Sequence, residues 1–237
     1  MMDEIEERIS RQASAVNAQL VVAVACFAGD VAAPSELVAA LPADCVAAFI
    51  FVQQGAAGRE TETLLAESLA KRTPLSVVHA HGELMAEQGR LYVISPNATP
   101  TMTGARICVT AAASGIDCPA DALFISLARE FGTNATGVIL SGGGTDAVLG
   151  LRAIKHAGGL TFAQYPGSAR FPNIPINAID SGYVDFVLRP NEIAHELARV
   201  SRQKERTPRG ALRHTQITQP GLVPTQLAPA TASSLAK

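Results

Sequence analysis

Few side chains of this 237-residue sequence stand in a pattern that could support catalysis or metal binding. The carboxylate of Asp146 is the clearest candidate, because it follows the glycine-rich run Ser141–Thr145 and opens a predicted helix. A carboxylate there can cap the free N–H groups of the helix, which is the favoured interpretation. The loop itself could hold a small anion, but no lysine follows its glycines as in a Walker A motif.

The cysteines and histidines do not form a catalytic or metal-binding pattern. The cysteines are Cys26, Cys45, Cys108 and Cys118. None has CxxC spacing and three lie in or beside apolar runs, which predicts reduced structural thiols. His79 and His81 alternate at the end of a predicted strand, where exposure to solvent is the favoured interpretation. His156 and His195 fall on predicted helices, and His214 falls in the tail. We therefore expect neither a metal nor a cofactor.

Composition indicates a globular protein without electrostatic attraction to nucleic acid. The formal net charge is −2, and 48% of the residues are hydrophobic. The longest apolar run, Leu20–Ala28, is about half of what crosses a bilayer, and the acidic N-terminus does not resemble a signal peptide. The sequence thus predicts a cytoplasmic protein that binds no nucleic acid and inserts into no membrane.

Short apolar runs alternate with helical segments from Leu20 onwards. The predicted strands are Leu20–Cys26, Val46–Val52, Leu75–Val78, Leu91–Ile94, Ile107–Val109, Gly137–Leu140, Leu160–Ala163 and Val184–Leu188. The predicted helices are Pro34–Leu41, Glu60–Arg72, Pro119–Phe131, Asp146–His156 and Ile174–Ser181. The stretch Val93–Asp117 predicts a looped insertion with one antiparallel element. This alternation indicates an α/β fold, a doubly wound and mostly parallel sheet with helices on both faces.

The ends of the chain differ in composition from its centre. Residues 1–19 predict a polar lead-in, either a weakly amphipathic helix or a frayed segment. Residues 20–202 predict the folded domain. Residues 203–237 are rich in Arg, Thr, Pro, Gln and Ala, and they predict a disordered tail, because such a composition buries too little apolar area.

Three segments, in order, resemble the catalytic domain of the chemotaxis protein-glutamate methylesterases, the CheB family. VVAVACFAGD at Val21–Asp30 resembles the family's strand ending in G-A-S-T-G-G. FIFVQQ at Phe49–Gln54 is similar to its strand ending in V-Q-H, and GVILSGGGTDAVLGL at Gly137–Leu151 resembles its L-T-G-M-G-x-D-G loop and helix. Softer matches occur at LYVISPN (Leu91–Asn97), DALFISLA (Asp121–Ala128) and GGLTFAQ (Gly158–Gln164).

The resemblance implies a three-layer α/β/α fold with a Ser-His-Asp triad that hydrolyses glutamate methyl esters on receptor helices. Carried over by position, the nucleophilic serine falls on Phe27 and the base histidine on Gln54, whereas the acid is retained as Asp146. The threonine after the serine becomes Ala28.

Further departures surround these positions. Two glycines beside the nucleophile become Ala25 and Asp30, and the methionine of the third segment becomes Gly143. Asp30 is expected to place negative charge near a developing oxyanion, which is the wrong sign for stabilisation.

The implied chemistry does not survive these changes, because acyl transfer needs a nucleophile and an adjacent base. Phe27 has no nucleophilic atom, and Gln54 cannot shuttle a proton near neutral pH. Cys26 precedes the lost serine, but alternation along a strand turns its side chain to the opposite face. The prediction is an inactive, methylesterase-like binding module in chemotaxis-type signalling, a pseudoenzyme.

The implied partners are chemoreceptor methylation helices or other chemotaxis proteins. No receiver-like segment is recognised before residue 20. Two alternatives stay open, an active protein-glutamate methylesterase or other carboxylic-ester hydrolase with a rearranged site, and a small-anion binder that uses the Ser141–Thr145 loop.

Overall fold

The computed structural model describes residues 20–27, 29–54, 59–112, 118–142 and 147–206. Within these ranges the chain forms ten β-strands and six α-helices. The strands are β1 (Val21–Phe27), β2 (Ala48–Gln54), β3 (Ser76–Ala80), β4 (Gly82–Met85), β5 (Arg90–Ile94), β6 (Ala98–Thr103), β7 (Arg106–Ala111), β8 (Ala135–Ile139), β9 (Leu160–Gln164) and β10 (Phe186–Leu188). The helices are α1 (Ala32–Ala39), α2 (Arg59–Ala70), α3 (Pro119–Phe131), α4 (Val148–His156), α5 (Asn173–Asp180) and α6 (Pro190–Arg206).

Seven strands form a parallel sheet in the order β10-β9-β8-β1-β2-β5-β3. The chain winds outward from β1 in one direction and from β8 in the other, so the winding reverses between these two strands. In open α/β sheets, ligands bind beyond the carboxyl ends of the strands at such a reversal. The predicted doubly wound, mostly parallel fold is confirmed.

Two buried cores lie on opposite faces of this sheet. Along β1, Ala23 and Ala25 belong to the core that α3, α4 and α5 cover. Val24 and Cys26 belong to the core that α1, α2 and α6 cover. Because both faces are buried, the central strands carry apolar residues at nearly every position, which is the pattern that predicts them from the sequence.

A second sheet is antiparallel and has the order β4-β7-β6. The sequence predicts one antiparallel element in Val93–Asp117, and the β6–β7 hairpin lies there, but β4 precedes that stretch. The sequence pattern does not predict β4 or β6, because GELM and ATPTMT lack a continuous apolar run. The hairpin is held to α3 by the Met102 N–H, which donates to Ser126 Oγ at 2.9 Å.

The five predicted helices are present, with each end within two residues of its predicted position. α4 begins at Val148 because Ala147, with φ 79°, has a left-handed conformation that does not propagate a right-handed helix. The sequence pattern does not predict the bounds of α6. This helix continues to Arg206, past residue 202, where the predicted folded domain ends. The predicted lead-in and the predicted tail from residue 207 onwards lie outside the described residues. No described helix has both the length and the hydrophobicity that a membrane-spanning segment requires.

Candidate functional site

The two positions predicted to have lost their catalytic side chains end neighbouring strands. Phe27 and Gln54 are register partners at the carboxyl ends of β1 and β2, and Cys26 pairs with Gln53 one step earlier. Register partners in a sheet lie on strands about 4.8 Å apart. The backbones of Phe27 and Gln54 are therefore adjacent at the edge where ligands bind in this fold, while their side chains lie outside the described part of the structure.

β8 reaches the same edge on the other side of β1. The Leu140 N–H donates to the Ala25 carbonyl at 2.9 Å, so the chain leaves β8 directly beside the end of β1. Asp146 itself lies outside the described residues, which stop at Gly142 and resume at Ala147. Its role as the retained acid therefore stays a prediction from the sequence.

Buried polar groups hold the start of this loop in place. Ser141 and Gln164 are both buried, and the Ser141 N–H donates to Gln164 Oε1 at 2.8 Å. Ser141 Oγ accepts the Phe171 N–H at 2.9 Å. Gln164 Nε2 donates to the Ser168 carbonyl at 3.1 Å. Gln164 thus joins the carboxyl ends of β8 and β9 and the turn that follows β9.

The same network bears on the anion-binding alternative. The Gly142 N–H donates to the Phe171 carbonyl at 2.8 Å, and the Gly142 carbonyl accepts the Ile174 N–H at 3.1 Å. The N–H groups of Ser141 and Gly142 are thus both engaged within the protein. The first two donors of the loop are not available to an anion, which weakens that alternative.

Ala147, the residue after Asp146, differs from the family's motif, and sequence reasoning missed this difference. Ala147 is fully buried and has φ 79°, a conformation that glycine adopts at little cost and alanine does not. The motif that this loop resembles carries glycine at that position. In the sequence, the signal of this backbone strain is that alanine, and not glycine, follows Asp146.

α4 is fixed against α3 immediately beyond this residue. Asp121 Oδ1 accepts the Gly150 N–H at 2.6 Å, and Asp121 is 7% exposed. A carboxylate that accepts an N–H of the first helical turn also interacts favourably with the positive end of the helix dipole. Sequence reasoning did not single out Asp121 or Gln164, although both stand in the softer matched segments at positions where the family has the same residue.

Cys26 is not placed to replace the missing nucleophile. Its side chain is buried in the α1-side core, whereas Ala25 lies in the opposite core. Its thiol donates to the Val52 carbonyl at 3.7 Å. Burial, and secondarily the negative charge of Asp30, raises the pKa of Cys26 to about 12. A thiol with such a pKa is protonated at neutral pH and is a poor nucleophile.

Asp30 has a structural task at the start of α1. It is 2% exposed, and its Oδ1 accepts the Ala32 N–H at 3.0 Å. This bond satisfies one of the free N–H groups of the helix. The sequence predicts Asp30 as an unfavourable charge for an oxyanion, and the structure adds that this oxygen is directed at the helix start.

The histidine pair at the end of β3 does not form a metal site with other described residues. His79 and His81 are both exposed, and their rings are stacked with centroids 6.5 Å apart. Within the described ranges, no group of three or more histidine, cysteine or carboxylate side chains is arranged to hold a metal ion.

Comparison with known proteins places these features in a family context. The sequence profile described as CheB methylesterase matches residues 22–197. Protein-glutamate methylesterase/protein-glutamine glutaminase 3 of Anaeromyxobacter dehalogenans is 37% identical over 182 residues, which cover 75% of this chain and 53% of that protein. The protein-glutamate methylesterase/protein-glutamine glutaminase of Moorella thermoacetica is 31% identical over 181 residues, which cover 73% of this chain and 42% of that protein.

The likeness extends to three dimensions. The crystal structure of the Thermotoga maritima CheB methylesterase catalytic domain aligns with a TM-score of 0.68 at 22% identity, covering 77% of this chain and 98% of that one. At 22% identity, this similarity shows that the two chains share a fold. The chain spans about half the length of the curated relatives it matches.

Proposed function

Because this chain belongs to the CheB methylesterase family, we propose that it is a non-catalytic member that acts by binding. The observation that carries the proposal is the pairing of Phe27 with Gln54 at the carboxyl ends of β1 and β2. The motifs that place serine and histidine at these strand ends have here an aromatic hydrocarbon and a neutral amide. Neither side chain can form an acyl intermediate or move a proton at neutral pH.

The nearest thiol does not restore the chemistry. Cys26 packs into the core on the α1 side and is kept protonated by burial. A nucleophile needs access to the substrate and a base that takes its proton. The buried environment of Cys26 offers neither. This argues against the alternative of an ester hydrolase in which Cys26 takes over the role of the serine.

The proposed partners are chemoreceptor methylation helices or another chemotaxis protein, in the cytoplasm. The matched relatives are named protein-glutamate methylesterase/protein-glutamine glutaminase, and receptor helices as partner are what the resemblance of the motifs implies. A surface shaped to hold a substrate helix can keep its affinity after the reacting groups are lost, because binding and bond cleavage use different contacts. Leu149, which is 61% exposed on the first turn of α4, offers an apolar contact near this edge.

A binding assay with purified cytoplasmic receptor fragments tests the proposal. We expect saturable binding by the unmodified chain, and a loss of about tenfold or more in affinity for Leu149→Asp, because a charge replaces an apolar contact. Val187→Asp is the matched control, since Val187 is 40% exposed on the edge strand β10. Absence of binding above background for glutamate, glutamine and methyl-ester forms of the fragment would remove the receptor as partner.

A further inference from the structure

A surface groove of about 700 Å³ runs along α1, between the end of α2 and the start of α6. α1 supplies four of the ten lining residues, and apart from Glu36 these four are small. The lining residues used below are Ala32, Ser35, Glu36, Ala39, Lys71 and Arg72. A row of small side chains between longer ones leaves space into which the larger side chains of a second helix can pack.

Three charged side chains line the groove. Glu36, Lys71 and Arg72 are all exposed, and no ion pair between described residues involves any of them. Two positive charges against one negative give the groove a net positive charge. An occupant of opposite sign is therefore favoured.

One end of the groove lies where the N-terminal segment joins the sheet. α1 connects the carboxyl end of β1 to the amino end of β2, so its last residues lie at the amino edge of the sheet. Leu20 is at this edge too, because its carbonyl accepts the Ala48 N–H at 3.1 Å. Lys71 and Arg72 precede the amino end of β3 and line the same end of the groove. The segment before Leu20 therefore starts from the edge of the sheet at which this end of the groove lies.

The sequence of that segment matches such a site. Met2, Ile5, Ile9, Ala13 and Val16 have the three- and four-residue spacing that puts apolar side chains on one face of a helix. At 1.5 Å per residue, a helix from Met2 to Val16 would be roughly 22 Å long, whereas α1 with its eight residues spans roughly 12 Å. The segment is therefore long enough to cover all of α1.

The N-terminal segment and the C-terminal tail differ in net charge. Residues 1–19 contain four acidic and two basic side chains, opposite in net sign to the groove. Residues 207–237 contain three basic and no acidic side chains, and prolines at four positions would interrupt a helix. The tail is thus the less suitable occupant.

We infer that the α1 groove is a docking site for residues 1–19 of the same chain, which lie in it as an amphipathic helix with Ile5 and Ile9 against α1. The helix covers the small residues of α1. Its acidic side chains interact with the positive charge of the groove. This contact does not depend on the proposed receptor binding, because it lies on α1 and not on α4.

Hydrogen exchange followed by mass spectrometry on the full chain tests this inference. We expect the amides of residues 5–16 to exchange roughly tenfold or more slowly than an unstructured peptide. Ile5→Asp with Ile9→Asp should abolish this protection. Ser10→Asp with Ser14→Asp adds the same charge on the opposite face and should preserve it. Fast exchange in the unmodified chain, or equal protection in both variants, would overturn the inference.

A second pair of variants tests the groove itself. Ala39→Trp fills it with a large side chain, and Ala39 is exposed, so the fold should accept the change. Ala111→Trp, at an exposed position on β7, is the control. We expect only Ala39→Trp to release residues 5–16. Retained protection in Ala39→Trp, or protection that increases with protein concentration as binding to a second copy would, contradicts docking within one chain.

Discussion

Phe27 and Gln54 end neighbouring strands in register. Acyl transfer by the triad that the motifs imply would need a hydroxyl at the first position and an imidazole at the second. Members of a catalytic triad act as a unit, and loss of one costs on the order of 10⁴ to 10⁶ in kcat. Restoring one member alone should therefore restore almost nothing.

The corresponding prediction concerns regained activity. We expect neither Phe27→Ser nor Gln54→His alone to create measurable hydrolysis of a methylated receptor fragment, because each leaves one required group absent. The two together, combined with Asp30→Gly, should give at most a trace of methanol release. Substantial activity from a single substitution would show that the positional assignment of the triad is wrong.

A second prediction at this scale concerns Cys26. Burial raises its pKa to about 12, so the thiol stays protonated at pH 8, and it is inaccessible to solvent. We expect iodoacetamide to modify Cys118, which is exposed, in the folded protein. Cys26 should react only after unfolding in guanidinium. Mass spectrometry of the peptides measures both, and equal modification rates in the folded protein would contradict the buried environment.

At this scale the sequence predicts which reactive groups are absent but not every contact that surrounds their positions. The identities of Phe27 and Gln54 are sufficient to argue that the triad is broken. The bond from Asp30 to the Ala32 N–H is local, whereas the link from Gln164 to Ser141 is a contact across the fold. No spacing in the sequence reports such contacts, because they depend on how strand ends and loops meet.

Among the elements, the contact of α3 with α4 positions the helix that follows Asp146. A Cβ added at Gly150 would lie 2.4 Å from Phe124 Cβ, a distance that requires the two helices to move apart. Overpacking of this kind costs about 1 to 3 kcal/mol. The Asp121 bond to the Gly150 N–H depends on the same close approach.

We therefore expect Gly150→Ala to lower the free energy of unfolding by about 1 to 3 kcal/mol, even though alanine favours helix formation by up to about 1 kcal/mol. Urea denaturation followed by circular dichroism measures the change. Leu149→Ala, one residue earlier and 61% exposed, is the control and should change stability by less than about 0.5 kcal/mol. An unchanged midpoint for Gly150→Ala would mean that the helices are not in close contact.

Asp185 joins α4 to β9 and gives this region a dependence on pH. Its Oδ2 accepts the Thr161 N–H at 3.0 Å, and its carboxylate pairs with Lys155. Burial opposes ionisation of Asp185, but the hydrogen bonds from Lys155 and Thr161 outweigh it and lower the pKa. The folded pKa is thus below the unfolded value of about 3.9. The carboxylate adds stability above that value, and the contribution is lost as pH falls through the folded pKa.

This sign gives a prediction for thermal melting. Asp185→Asn should lower Tm at pH 7, and the difference from the unmodified chain should shrink as pH falls below about 4. Asp180→Asn, at an exposed position on α5, is the control. A difference that is the same at pH 7 and pH 3 would contradict an ionised, paired Asp185.

The elements also show where sequence patterns stop being informative. Strands buried on both faces, such as β1 and β2, are predicted because continuous apolar runs are specific to them. β4 and β6 lie at the edges of a small sheet, so their side chains follow no such run. The start of α4 is set by the conformation of Ala147, which a helical pattern does not report.

At the scale of the whole molecule, the order of the strands places the ends of β1, β2 and β8 together, and this follows from the doubly wound fold that the sequence predicts. The fold brings the backbones of Phe27 and Gln54 together whether or not chemistry takes place there. The fold therefore determines which strand ends are neighbours, and only the side chains decide the activity. The groove along α1 depends on how three helices pack, so no sequence motif predicts it.

The most direct test of the account is methanol release from a methylated chemoreceptor fragment by the purified full chain, with an active CheB methylesterase as positive control. We predict a rate indistinguishable from buffer, and the same rate for Asp146→Ala and Cys26→Ala, because the proposed assignment puts Phe27 and Gln54 where the nucleophile and the base would be. Turnover comparable to that of the positive control, or turnover that Cys26→Ala abolishes, would contradict a non-catalytic site.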